Sequence, residues 1–136
     1  MRALGGLCAS VAVLALFGCG GVKPADLFIL TRTGPTRQTQ LTLLINEEGG
    51  VRCNGGATLK VSDPQLVQAR AIQEDLHDSA VSHLSLAPRA GSVFSYSLRD
   101  VDGSVRFSDN SAKQPKVLHN LQLFVLQVAQ QVCHLP

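Results

Sequence analysis

The stretch that decides the fold is SVFSYSLRDVDGSVRFS, residues 92–108. Phe94, Tyr96 and Leu98 alternate with polar residues on the way in, and Val105 and Phe107 alternate on the way out. Successive side chains of a strand point to opposite faces, so a period of two marks each arm as a half-buried strand. Asp102-Gly103 between them is a tight-turn pair, since glycine adopts backbone angles that other residues avoid. A two-residue turn there places Leu98 opposite Phe107, and the apolar faces of the two arms agree.

The same period recurs toward the N-terminus. Residues 27–33, LFILTRT, are rich in strand formers and stop at Gly34-Pro35. Residues 39–46, TQLTLLIN, put Leu41, Leu43 and Ile45 on one face, EEGG at 47–50 turns the chain, and VRC at 51–53 returns. NGG at 54–56 is a further turn. The period then changes. Asp63 is placed to cap a helix with Pro64 in its first turn, where a missing N–H costs nothing. Leu66, Ala69, Ile72 and Leu76 recur at spacings of three and four, which predicts a helix over 64–77 whose other face carries Gln68, Gln73, Glu74 and Asp75. SLAPRAGS, 85–92, reads as a loop.

After the hairpin comes the strongest helix signal. Asp109 or Ser111 can cap it, Pro115 lies near its first turn, and Leu118, Leu121, Val125, Val128 and Val132 share one stripe. Asn120, Gln127, Gln130 and Gln131 form the opposite face, and no charged residue follows Lys116. Membrane-surface helices carry Lys or Arg on that face, so this one is assigned to the core. The order is β-β-β-α-β-β-α, an α+β fold with an antiparallel sheet and two helices packed on one face. Residues 27–136 are read as a single domain. Hydrophobic residues at 45% and charged residues at 16% suit a folded chain. A net charge of +2 and 4% aromatic residues argue against nucleic acid as a partner.

The N-terminal run sets the expected location. Residues 3–17, ALGGLCASVAVLALF, follow Met1-Arg2 and carry no charge. The run is shorter than the roughly 20 residues a membrane span needs and fits the core of an export signal. LFGC, residues 16–19, resembles the bacterial lipobox: Leu16 and Gly18 match, while Phe17 stands where a smaller residue is usual. The resemblance implies a signal peptide over 1–18, lipid on Cys19, and a tether over 19–26. In its organisation the chain resembles small bacterial lipoproteins. The alternative is an ordinary secretory signal cut after Gly20, giving a secreted protein.

Export bears on the cysteines, because disulfides persist outside the cytoplasm. Cys8 leaves with the signal and Cys19 takes the lipid, so Cys53 and Cys133 remain as one pair. Their bond closes a loop that the chain-entropy model values at roughly 4–5 kcal/mol.

No motif assigns a catalytic residue. A zinc site from Cys53, His77, His83 and Cys133 lacks the short C-x-x-C or H-E-x-x-H spacing. His119 and His134 read as surface or helix-end residues. The serines form no G-x-S-x-G elbow. Asp100, Asp102 and Gly103 lack the rest of a calcium loop, Glu47-Glu48 reads as a solvated turn, and NGG lacks the Lys of a P-loop. No metal and no cofactor are assigned.

Residues 94–121 resemble the C-terminal half of emfourin-type proteins, inhibitors of thermolysin-like metalloproteases. Tyr96, Gly103, Phe107, Ser108, Asp109, Pro115, Leu118 and Leu121 carry the likeness. It implies a hairpin leading into a helix and transfers no inhibitory contact. The expected function is a lipid-anchored extracytoplasmic binding module without catalytic activity. Its expected partners are the membrane, through the lipid, and an envelope protein or protease. Other readings are an emfourin-like protease inhibitor, an envelope ligand-binding protein with an apolar cavity between helices and sheet, and a small hydrolase in which a histidine meets a serine or carboxylate.

Overall fold

The computed structural model describes residues 23–136. The signal segment, Cys8 and Cys19 lie outside the described residues. The elements are β1 (Asp26–Thr33), β2 (Leu41–Asn46), β3 (Gly50–Cys53), β4 (Thr58–Lys60), α1 (Asp63–Val81), β5 (Ser95–Arg99), β6 (Ser104–Ser108) and α2 (Lys116–Gln131). A single turn of 3-10 helix, Arg37–Thr39, precedes β2. The strands form one antiparallel sheet in the order β4-β3-β2-β1-β5-β6. The α+β class holds, with one strand more than the sequence pattern suggests.

Alternation divides the sheet into two faces. Phe28 and Leu30 of β1, Leu41, Leu43 and Ile45 of β2, Val51 of β3, Tyr96 and Leu98 of β5, and Val105 and Phe107 of β6 are all buried. They join Ala69, Ile72, Leu76 and Ala80 of α1 and Leu118, Leu121, Phe124, Val125 and Val128 of α2 in one core. Phe28 meets Phe124 edge-on at 6.3 Å, and Tyr96 stacks on its cross-strand partner Phe107 at 4.9 Å. Such aromatic pairs contribute about 0.5–1.5 kcal/mol beyond area burial. The helices are joined by a hydrogen bond from Gln65 Nε2 to Gln131 Oε1.

The C-terminal hairpin is looser than a two-residue turn. Leu98 pairs with Val105, and Phe107 with Tyr96. The cause is Asp100, whose Oδ1 accepts from the backbone N–H groups of Asp102 and Gly103, while its own N–H donates to Gly103 O. An Asx turn of this kind makes a four-residue connection, Asp100–Gly103. The pairing moves by two positions, so the facing of every side chain is unchanged. Gly103 leaves no room for a Cβ, which would run into the carbonyl oxygen of Ala80. The turn thereby rests against the end of α1.

The helix ends also differ from expectation. Ser62, not Asp63, is the N-cap of α1: its Oγ accepts from Gln65 N–H, and Gln65 Oε1 accepts from Ser62 N–H. This reciprocal capping box leaves Asp63 in the first turn, beside the positive end of the helix dipole. The helix runs four residues past 77, to Val81, and closes with His83 in the left-handed region (φ 51°) and a bond from Leu84 N–H to Ser79 O. At α2 the N-cap is Pro115, with no side-chain cap. Asp109 instead accepts from Ser92 and Val93, and Ser111 Oγ accepts from Ser108 N–H. Both residues brace the loops around β6. On this account Ser62→Ala lowers stability by about 1 kcal/mol and Asp63→Ala by clearly less, read from urea midpoints.

Candidate functional site

Cys53 and Cys133 are joined by a disulfide, Cα to Cα 5.9 Å. Cys53 is the last residue of β3 and pairs with Leu43, while Cys133 follows the end of α2. The bond ties the C-terminal helix to the sheet half most remote from β6, across 80 residues of chain. Replacing both cysteines by alanine lowers unfolding free energy by up to roughly 4–5 kcal/mol in the chain-entropy model, measured by denaturant titration. An unchanged midpoint would show that helix packing alone holds this end.

The four histidines do not converge. His77 Nδ1 lies 3.0 Å from Asp102 Oδ2, joining α1 to the β5–β6 turn. His83 Nδ1 lies 3.2 Å from Ser104 Oγ. Acid and hydroxyl thus sit on different imidazoles, and His119 and His134 are exposed elsewhere. Among the described residues no group of three or more His, Cys, Asp or Glu side chains is placed to hold a metal ion. Asp102 accepts from His77 and attracts its charge, with Asp78 and Asp100 adding to the field, and together they raise the His77 pKa above 6.5. A raised folded-state pKa contributes stability below the unfolded value that is lost as pH rises through the folded value. Wild type therefore melts higher than His77→Gln at about pH 6, and the difference closes toward about pH 8.

A second feature is an inward-facing arginine. Arg32 continues the alternation of Phe28 and Leu30 and is 3% exposed. Its Nε donates to Thr39 O and its Nη2 to Pro136 O, and the guanidinium lies 5.2 Å from the Phe94 ring centre. It forms the floor of a groove of about 300 Å³ beside α2, walled by Phe94, Tyr96, Leu123 and Leu126. Burial raises the Tyr96 pKa there.

The third feature is the other side of the sheet. Both helices pack on the face described above, and the opposite side chains look outward. The ladder registers place Thr58, Arg52, Leu44, Ile29, Arg99 and Ser104 in one row across all six strands. Thr42, Thr31, Ser97 and Arg106 form the adjacent row. Lys60 of β4 lies on the same side as Arg52 and lines a groove with it. Arg52, Lys60, Arg99 and Arg106 are exposed. Among the described residues the sole ion pair is His77–Asp102, so none of these cations has a carboxylate within 4.0 Å. Arginine and hydroxyl residues at alternate strand positions had been legible only as the polar half of each pattern; the pairing of β1 with β5 is what brings them onto one surface.

The chain matches no family model, no curated protein and no solved structure. Among the described residues no helix is long and apolar enough to cross a membrane.

Proposed function

We propose that this chain is a lipid-anchored extracytoplasmic binding module, without chemistry of its own, that meets its partner through the uncovered face of the sheet. The observation that carries the reading is that face: arginine, lysine and hydroxyl side chains around Ile29 and Leu44, with no carboxylate within 4.0 Å of its cations among the described residues. Arginine is favoured where carboxylate or phosphate must be recognised, because its planar fork donates two parallel hydrogen bonds. The disulfide supports an oxidising compartment. The lipobox-like LFGC supports an anchor on Cys19. From Cys19 to the start of β1 at Asp26 the chain can span at most about 25 Å, which would hold the domain close to the bilayer.

The order β5, β6, α2 is the topology that the likeness to emfourin-type inhibitors implies, so an envelope metalloprotease is one partner to assay. Titration of a thermolysin-like protease with the purified protein tests that version, and full protease activity at micromolar excess removes it.

Mass spectrometry of protein extracted from membranes, without reductant, tests the main reading. The expected mass begins at Cys19, carries two or three acyl chains and lacks two hydrogens for the Cys53–Cys133 bond. An unacylated chain beginning near Gly21 would replace the anchor with secretion.

A further inference from the structure

On the uncovered face two arginines line one trough. Arg99 of β5 pairs with Ser104 of β6, and Ser97 pairs with Arg106, so Arg99 and Arg106 are diagonal neighbours on one side of the ladder. Diagonal positions lie about 7–8 Å apart at Cα, within reach of long side chains. Exposed like charges so placed repel weakly through water, and an anion bound between them turns that repulsion into attraction. Neither guanidinium makes a hydrogen bond to any described residue or has a carboxylate within 4.0 Å. Arg52, on the same face, differs: its Nε and Nη2 donate to Gly56 O and Gly55 O.

The space between Arg99 and Arg106 is a trough of about 270 Å³ lined by Ile29, Thr31, Ser97 and Ser104 as well as the two arginines. A second groove of about 270 Å³ shares Thr31, Ser97 and Arg106 with it and continues to Leu86 and Pro88. Its far wall is built by the chain at 84–86, which bonds to Arg106 through Leu86 N–H and Leu84 O. The site is thus a cationic, hydroxyl-lined trough that opens onto a partly apolar extension.

We infer that this trough binds a phosphate monoester group. Two guanidinium ions call for one group bearing about −1.5 to −2 charge, which a phosphate monoester carries at pH 7 and a carboxylate does not. Its three terminal oxygens can accept from two arginine forks and from the Ser97 hydroxyl, and from Ser104 when His83 Nδ1–H is the donor to Ser104 Oγ. The extension toward Leu86 and Pro88 receives the organic part of the ester. This inference rests on the reading of the uncovered face as the binding surface and is independent of the anchor on Cys19.

The test is titration of the purified protein with inorganic phosphate, with glycerol phosphate and with acetate at low ionic strength. It follows the NMR signals of the arginine Nε–H groups and of the Ser97 and Ser104 amides. Both phosphates produce saturable shifts in the millimolar range or below, acetate produces none, and the tighter phosphate tells whether a free ion or an ester is the source. Arg99→Gln and Arg106→Gln each weaken binding about tenfold, the loss of one charge-assisted contact, while Arg52→Gln leaves it nearly unchanged. All three arginines are exposed, so the variants keep the fold. Absence of saturation, or equal losses in all three variants, would overturn the site and leave only diffuse attraction. Neither result depends on the acyl mass, so failure here and failure of anchoring are told apart.

Discussion

The structure depends on the pairing of β1 on both of its edges. The two hairpins are local products of turn chemistry, and neither is stable alone, since a two-stranded ribbon buries too little apolar surface. β1 joins them: Leu30 faces Leu43 on one side and Leu98 on the other, and Thr31 faces Thr42 and Ser97. That double pairing joins the three strands β4-β3-β2 to the two strands β5-β6 in a six-stranded sheet wide enough to receive both helices. It also sets the phase of every side chain, because a slip of one residue in β1 would send Phe28 and Leu30 to solvent.

From that phase the two faces follow. One side is a continuous apolar layer sealed by α1 and α2 and closed at its far end by the Cys53–Cys133 bond. Among the described residues the other side has no covering layer, and it carries hydroxyls and arginines around Ile29 and Leu44. The contrast between Arg32 and Arg99 shows how position decides role. Arg32 falls on the inward phase, so its donors are taken up by backbone oxygens of Thr39 and Pro136 and its plane lies by Phe94. Arg99 falls on the outward phase of β5 and keeps its donors free for a ligand. The proposed phosphate trough exists because β1, β5 and β6 are adjacent, so it is a product of sheet order more than of any motif.

Much of this was legible in the chain where a local rule operated without competition. The alternation in 92–108 and 39–53 marked both hairpins, the three-and-four spacing marked both helices, and elimination among four cysteines left the Cys53–Cys133 pair. The misses have local physical causes. Strand β4, Thr58–Lys60, is three exposed residues with no alternation to read, and it forms because Gly50–Arg52 offers a free edge. The cap of α1 fell to Ser62 because Gln65 can complete a reciprocal pair with it. The helix outran its expected end because His83, not glycine, takes the left-handed residue that stops it. The hairpin register moved by two because the Asp100 side chain organises the turn ahead of Asp102-Gly103. Sheet order was out of reach altogether: it depends on contacts between segments separated by dozens of residues. With it went the β1 wall of the candidate trough, Ile29 and Thr31, although its arginines and serines all lie on the β5–β6 hairpin that the alternation marks.

The measurement to make first is therefore the register of β1 against β5 in solution. Cross-strand NMR contacts between Thr31 and Ser97 and between Leu30 and Leu98, together with slow amide exchange along β1, are the result this account predicts. Contacts that pair Leu30 with Ser97, or a β1 that exchanges rapidly along its β5 edge, would contradict it, dissolving both the two-faced sheet and the surface on which the binding proposal stands.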